Sequence, residues 1–126
     1  MIKILIYEDS SQLREGLTML LNGTDGFEVV GGYRNCNQVE DEVQAWKPEV
    51  ILMDINLPGI SGIEALKILR EDPATAHIPV VALSANAMPR DIAKGLEAGF
   101  FRYLTKPIQV KEFMDTLNAA LEFAER

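Results

Sequence analysis

The stretch VILMDINLPGISGIEAL, residues 50–66, reads as a buried strand, a tight loop and the start of a helix. Residues 50–53 are apolar and the run stops at Asp54, as in a strand covered on both faces. Pro58, Gly59 and Gly62 keep the loop short. Ser61 and Glu64 form a capping-box pattern, and Ala65, Leu66, Ile68 and Leu69 follow at helical spacing until Pro73 closes the helix.

The same alternation runs outward in both directions. Upstream, IKILIY (2–7) is apolar apart from Lys3, and Leu13, Leu17, Leu20 and Leu21 give a helix. Gly23 and Gly26 bracket a turn before FEVVGGY (27–33), and Val39, Val43 and Trp46 mark a helix stopped by Lys47-Pro48. Downstream, IPVVALS (78–84) is a strand. Pro89 opens a helix with Ile92, Ala93 and Leu96 inward, and Gly99 stops it. FFRYLT (100–105) is the last strand, and Val110, Phe113, Met114, Leu117 and Leu121 give a strongly amphipathic last helix. Five strand–helix units with short connections predict an α/β fold, doubly wound, with a parallel sheet and helices on both faces.

The bulk properties fit one domain spanning residues 1–126, with 48% hydrophobic residues for its core. The chain carries 12 basic and 19 acidic residues, a net charge of −7, a poor basis for contacting nucleic acid through a basic face. The four-residue apolar run after Lys3 is too short for a signal peptide or a membrane span. Cys36, the one cysteine, excludes an internal disulfide, fits a reducing cytoplasmic setting and reads as a passive small residue. His77, the one histidine, reads as a surface loop residue.

Polar islands end four of the apolar runs: Glu8-Asp9, Asp54, Ser84 and Lys106. Parallel sheets gather ligands at the carboxyl ends of their strands. Three carboxylates, a hydroxyl and an ammonium would therefore converge there. Two carboxylates ~4 Å apart repel by roughly 4 kcal/mol at an effective dielectric of 20, so three need a cation or a proton. Oxygen ligands favour Mg²⁺, which is held by one or two carboxylates together with phosphate oxygens. Asp54, alone at the end of a central strand, can act as a nucleophile toward phosphorus. Lys106 can neutralise phosphoryl oxygens and Ser84 can donate to one, since phosphoryl transfer is mainly positioning and electrostatics. A cis Lys106-Pro107 bond would turn the chain sharply and aim the lysine inward. Each island alone has a plainer reading: Glu8-Asp9 as a helix cap, Asp54 and Ser84 as turn residues, Lys106 as a solvated lysine. Their joint occurrence at different strand ends is what carries weight.

Those residues, within YEDS, LMDINLPGISGIEAL, VVALSANA and FRYLTKPI, make the chain resemble a receiver domain of a two-component response regulator over essentially its whole length. The resemblance implies a flavodoxin-like, five-stranded sheet of order 2-1-3-4-5 with five helices. It implies that Asp54 accepts a phosphoryl group from a histidine kinase or phosphotransfer protein. Asp9, Asp54 and the Asn56 carbonyl would bind Mg²⁺ directly, and Glu8 would act through a water. The family often has aspartate at the place of Glu8. Ser84 and Lys106 would contact the phosphoryl group, and Ser84 with Tyr103 would form the conformational switch. Asn56 and Asn86 occupy positions that tune the lifetime of the phosphate.

A downstream protein would dock on the fourth helix, fifth strand and fifth helix, where Phe101 and Arg102 replace the acidic residues usual in dimerising members. The resemblance implies a signalling module without turnover of an external substrate, while the stop directly after the last helix, the acidic balance and the short apolar run lead to the expectation of no output domain and no direct contact to nucleic acid or membrane. Up to about Arg70 the chain resembles receivers of DNA-binding regulators, and from about Asp72 receivers fused to sensor kinases. That division raises the alternative of a chimeric or designed flavodoxin-like scaffold with a junction near residues 70–73. Two other classes fit less well. A flavin or nucleotide site would meet repulsion from Glu8-Asp9. An aspartyl phosphatase commonly has a second acid two residues after its nucleophile, where Asn56 stands.

Overall fold

The computed structural model describes residues 1–86 and 88–124. Five strands alternate with five helices: β1 Ile2–Tyr7, α1 Ser11–Asn22, β2 Phe27–Tyr33, α2 Val39–Trp46, β3 Val50–Asp54, α3 Gly62–Glu71, β4 Val80–Ser84, α4 Pro89–Ala98, β5 Arg102–Thr105 and α5 Val110–Ala124. All strand pairs are parallel, in the order β2-β1-β3-β4-β5, the expected flavodoxin-like sheet.

Alternate residues of each central strand feed two cores, as the two-residue period of a strand requires. Leu5, Tyr7, Ile51, Met53, Val80 and Ala82 meet α2 and α3. Ile4, Ile6, Leu52, Val81, Leu83 and Leu104 meet α1 and α5. With both faces covered, β3 and β4 are buried along their whole length, including Asp54 and Ser84 at their ends.

The helix starts follow local chemistry. Ser10 caps α1 by accepting from the Leu13 amide at 3.3 Å, so Glu8 and Asp9 are not the cap. Ser61 caps α3 by accepting from the Glu64 amide at 3.2 Å, while the Glu64 carboxylate accepts from the Ser61 hydroxyl instead of its amide. Lys47 ends α2 in the left-handed region at φ 51°.

Three expectations need correction. In α4, Ala93 and Leu96 face solvent, and Gly95 is the buried residue. The helix rides so close to β5 that a Cβ on Gly95 would stand 2.9 Å from the Tyr103 ring. The last strand starts at Arg102 instead of Phe100, because Phe100 turns into the core and Phe101 packs on Phe123 of α5. Val110 and Trp46 lie outside their apolar stripes: Val110 is exposed in the first turn of α5, and Trp46 is 43% exposed with its indole N–H on the Tyr33 hydroxyl at 2.8 Å.

Candidate functional site

β1, β3, β4 and β5 end side by side, and their ends hold the four polar islands. Strand pairing sets Asp54 opposite Leu83 and Ser84 opposite Thr105. Glu8 is buried and its amide donates to the Tyr33 carbonyl of β2 at 2.9 Å. Its Oε2 accepts from the Ser10 amide at 2.9 Å. The Lys106 ammonium lies 2.8 Å from Glu8 Oε1 and 2.9 Å from Asp54 Oδ2. Its aligned hydrogen bond goes to Asp54, and Glu8 Oε1 is left with a charge contact but no hydrogen bond. The Lys106–Pro107 peptide is cis, as expected.

Carboxylate oxygens of Glu8, Asp9 and Asp54 lie within 4.8 Å of one another. Glu8 and Asp54 are buried and Asp9 is exposed, so the cluster has a buried floor and an open side. Burial raises the Glu8 carboxyl above the usual carboxylate range, against the lowering effect of Lys106 and the Ser10 amide, and the charge of Asp54 raises it further. Burial alone would lower the Lys106 ammonium, but the close contact with the Glu8 carboxylate and the bond and charge of Asp54 outweigh this and raise it. The donor set suits a hard divalent cation: oxygen atoms only, three carboxylates to one ammonium, and a buried carboxylate oxygen without a hydrogen bond.

The plainer readings of Asp54 and Ser84 hold alongside the site. Asp54 Oδ1 accepts from the Asn56 amide at 2.9 Å, and Ser84 Oγ accepts from the Asn86 amide at 3.0 Å. These turns aim both side chains from their strand ends. Lys106, by contrast, is paired and mostly covered, with 24% of its side chain exposed. Tyr103 packs on the face of the sheet that α2 and α3 cover and donates to the Asn86 carbonyl at 3.0 Å. Asn86 therefore receives both partners of the expected switch through its backbone. Its side chain holds the start of α4, donating to Asp91 at 2.8 Å and accepting from the Met88 amide at 2.9 Å. Asn56 is exposed in the loop after β3.

Two supporting residues escaped sequence reasoning. Gly62 is one: a Cβ there would stand 2.7 Å from the Ile55 Cα and 2.8 Å from the Asp54 carbonyl oxygen, so only glycine lets α3 begin against the strand end. Arg14 is the other: its guanidinium donates to the Glu8 carbonyl at 2.6 Å from the first turns of α1. The glycine was visible only as a loop residue, and nothing in the spacing marks the arginine.

The remaining groups lie elsewhere. Cys36 is buried and free, its thiol pushed up to about 12 by burial first and then by the charges of Glu42 and Asp54. His77 lines a cleft of about 730 Å³ at the amino ends of the strands. At its edge Gln44 and Asp72 bond each other at 2.9 Å, and the buried hydroxyl of Thr75 is satisfied by the Leu69 carbonyl at 2.6 Å. None of the helices among the described residues is long and apolar enough to cross a membrane.

The family model of the response regulator receiver domain matches residues 4–118. The polar-differentiation response regulator DivK of Brucella anthropi is 36% identical over 118 residues, covering 94% of each chain. The phosphate regulon transcriptional regulatory protein PhoB of Escherichia coli is 36% identical over 119 residues, covering 94% of this chain. The chain spans about half the length of PhoB and of the DNA-binding regulator MtrA of Mycolicibacterium paratuberculosis, 51% in each case. The receiver domain of a histidine kinase from Syntrophus aciditrophicus superposes with a TM-score of 0.88 at 28% identity, covering 100% of this chain and 94% of that one. Relatives of both kinds thus match across residues 70–73, and the comparisons give no support to a junction there.

Proposed function

The chain belongs to the response regulator receiver domain family of two-component signalling, and from that premise we propose that Asp54 is its phosphoacceptor. The observation that carries this is Asp54 itself: 4% exposed at the end of the central strand, 2.9 Å from Lys106, and clustered with Glu8 and Asp9. A carboxylate oxygen of Asp54 bonds to the phosphorus of a phosphohistidine as the P–N bond breaks. The electron pair stays on the imidazole nitrogen, which takes up a proton, and an acyl phosphate remains on Asp54.

Lys106 already touches the carboxylate, so its ammonium is within reach of a phosphoryl oxygen carried there. Ser84, at the neighbouring strand end, would donate its hydroxyl to another. Asp9, Asp54 and the Asn56 carbonyl would hold Mg²⁺, with Glu8 acting through a water. Bound there, Mg²⁺ would neutralise charge on the phosphoryl oxygens. When Ser84 turns to the phosphoryl group it gives up the Asn86 amide, and Asn86 also anchors Tyr103. New charge at Asp54 would thereby bias the β4–α4 segment and the α4–β5–α5 face toward a partner. Exposed Met88 at the cap of α4, Leu96 on α4 and Arg102 on β5 supply that face with apolar and basic contacts. Asn56 and Asn86 flank the site and would set the lifetime of the phosphate. The free thiol of Cys36 suits a cytoplasmic setting.

Incubation with a phosphoramidate and Mg²⁺ should add one phosphate by intact-mass spectrometry. Chelation of Mg²⁺ or the change Asp54→Asn should remove it. Undiminished labelling of Asp54→Asn would overturn the assignment.

A further inference from the structure

Asp9 is exposed, and the peptide plane before it decides where its carboxylate points. That peptide, between Glu8 and Asp9, is gripped by α1. Arg14 sends its Nη1 to the Glu8 carbonyl at 2.6 Å, while its own amide donates to the Ser10 carbonyl at 2.9 Å. The side chain thus holds the peptide of the acidic pair, while the amide makes the first helical hydrogen bond of α1 and anchors the residue in the helix.

To reach Glu8, the Arg14 stem crosses β2 at Gly32. A Cβ on Gly32 would stand 3.1 Å from Arg14 Cδ and 3.3 Å from Cγ. Glycine weakens a strand interior, and one usual reason for it is a close approach by another group. Here the group is an arginine side chain, so Arg14 and Gly32 form one device.

We infer that Arg14, seated over Gly32, is a positioning residue for the metal site: it fixes the Glu8–Asp9 peptide and through it the Asp9 carboxylate. The inference rests on the metal reading above. A charged donor to a carbonyl is a strong, short hydrogen bond, and loss of a group that orients a metal ligand typically costs about 10–100-fold in metal affinity. Arg14 carries no ligand atom, so its effect must appear in affinity and in the geometry at Asp9.

The test is a Mg²⁺ titration of the unphosphorylated protein followed by amide chemical shifts, with thermal melting run in parallel. Arg14→Met should raise the Mg²⁺ Kd about tenfold and move the Asp9 amide in the metal-free protein. Arg14→Lys keeps a donor on a shorter stem and should recover most of the affinity. Gly32→Val leaves every carboxylate and Arg14 itself in place but fills the path of the stem; it should weaken Mg²⁺ in the same direction and add nothing to Arg14→Met. Gly32→Val also keeps the test alive if Arg14→Met fails to fold, since valine favours strands.

Wild-type affinity in both Arg14→Met and Gly32→Val would overturn the inference and leave the metal reading intact. An equal loss in Arg14→Lys and Arg14→Met, in step with melting temperature, would make Arg14 a structural fastener and overturn it as well. Absence of any Mg²⁺-dependent shift in the wild type would overturn the metal reading, and the inference with it.

Discussion

At the amino ends of the strands, Arg70 of α3 donates to the carbonyls of Ala76 at 3.1 Å, Ile78 at 2.8 Å and Gly99 at 3.2 Å. At the carboxyl ends, Lys106 meets the carboxylates of Glu8 and Asp54, with Asp9 beside them. Both cations are partly buried and both tie together segments distant in sequence. Their surroundings differ in kind. Arg70 is satisfied by neutral dipoles that lead into β4 and β5, and burial lowers its guanidinium without any opposing charge. The carboxyl end has three carboxylates and one ammonium, a formal charge of −3 + 1 = −2. A fastener leaves no charge over. An excess of negative charge over a buried floor suits the uptake of a cation, as the proposed function requires.

The widest separation of the two ends comes from Asp54→Asn. It should abolish phosphate labelling, yet the metal-free variant should melt at or above the wild-type temperature, because the repulsion at the cluster falls while the new side-chain amide oxygen can still accept from Lys106. Arg70→Met should do the reverse. Leaving partly buried carbonyls without their donor should cost about 2–4 kcal/mol in urea denaturation, while the folded fraction still labels at Asp54. If each variant lost both stability and labelling, the contrast between the ends would collapse.

Lys106→Met probes the acidic end alone. It strands the buried Glu8 carboxylate and should cost about 1–3 kcal/mol at neutral pH, discounted because the ammonium is partly solvated. Acid should give part of this back. Burial raises both Glu8 and Glu42 in the folded state. Their contribution to stability is fully present below the ordinary carboxylate range and is lost as pH rises through their higher folded values. The metal-free wild type should therefore gain stability from these groups as pH falls from about 7 toward about 5, and Lys106→Met should gain more steeply. Lys106 does not offset this, because its raised value keeps its contribution constant until pH passes the ordinary lysine range. Thermal melts at several pH values decide it; a slope of opposite sign would refute the role of Glu8.

The smallest effect belongs to neither end. Gly16 sits on the exposed side of α1, where an added Cβ would meet nothing within 4 Å. Gly16→Ala should stabilise by about 0.5–1 kcal/mol and leave labelling unchanged.

The sheet was legible in the sequence because its central strands are buried on both faces, so β1, β3 and β4 show as apolar runs that stop where the strands stop. Asp54, Ser84 and Lys106 were legible for the same reason, as polar residues ending such runs. The facing of α4 was not. Ile92, Ala93 and Leu96 form an apolar stripe, but the docking side is decided by Gly95, which alone lets the helix approach the Tyr103 ring. The different surroundings of Glu8 and Asp9 were equally hidden, since adjacent residues leaving a strand diverge by a local twist that spacing does not encode. Arg14 was the least visible, because its contact spans a helix, an edge strand and a carbonyl.

Reduction of the phosphorylated protein with borohydride, followed by peptide mapping, tests the central claim most directly, because it converts an acyl phosphate to a stable alcohol at the residue that carried it. The account predicts the converted residue at position 54 alone, in a reaction that depends on Mg²⁺. Conversion at Glu8, Asp9 or a residue of the amino end, with Asp54 untouched, would contradict it.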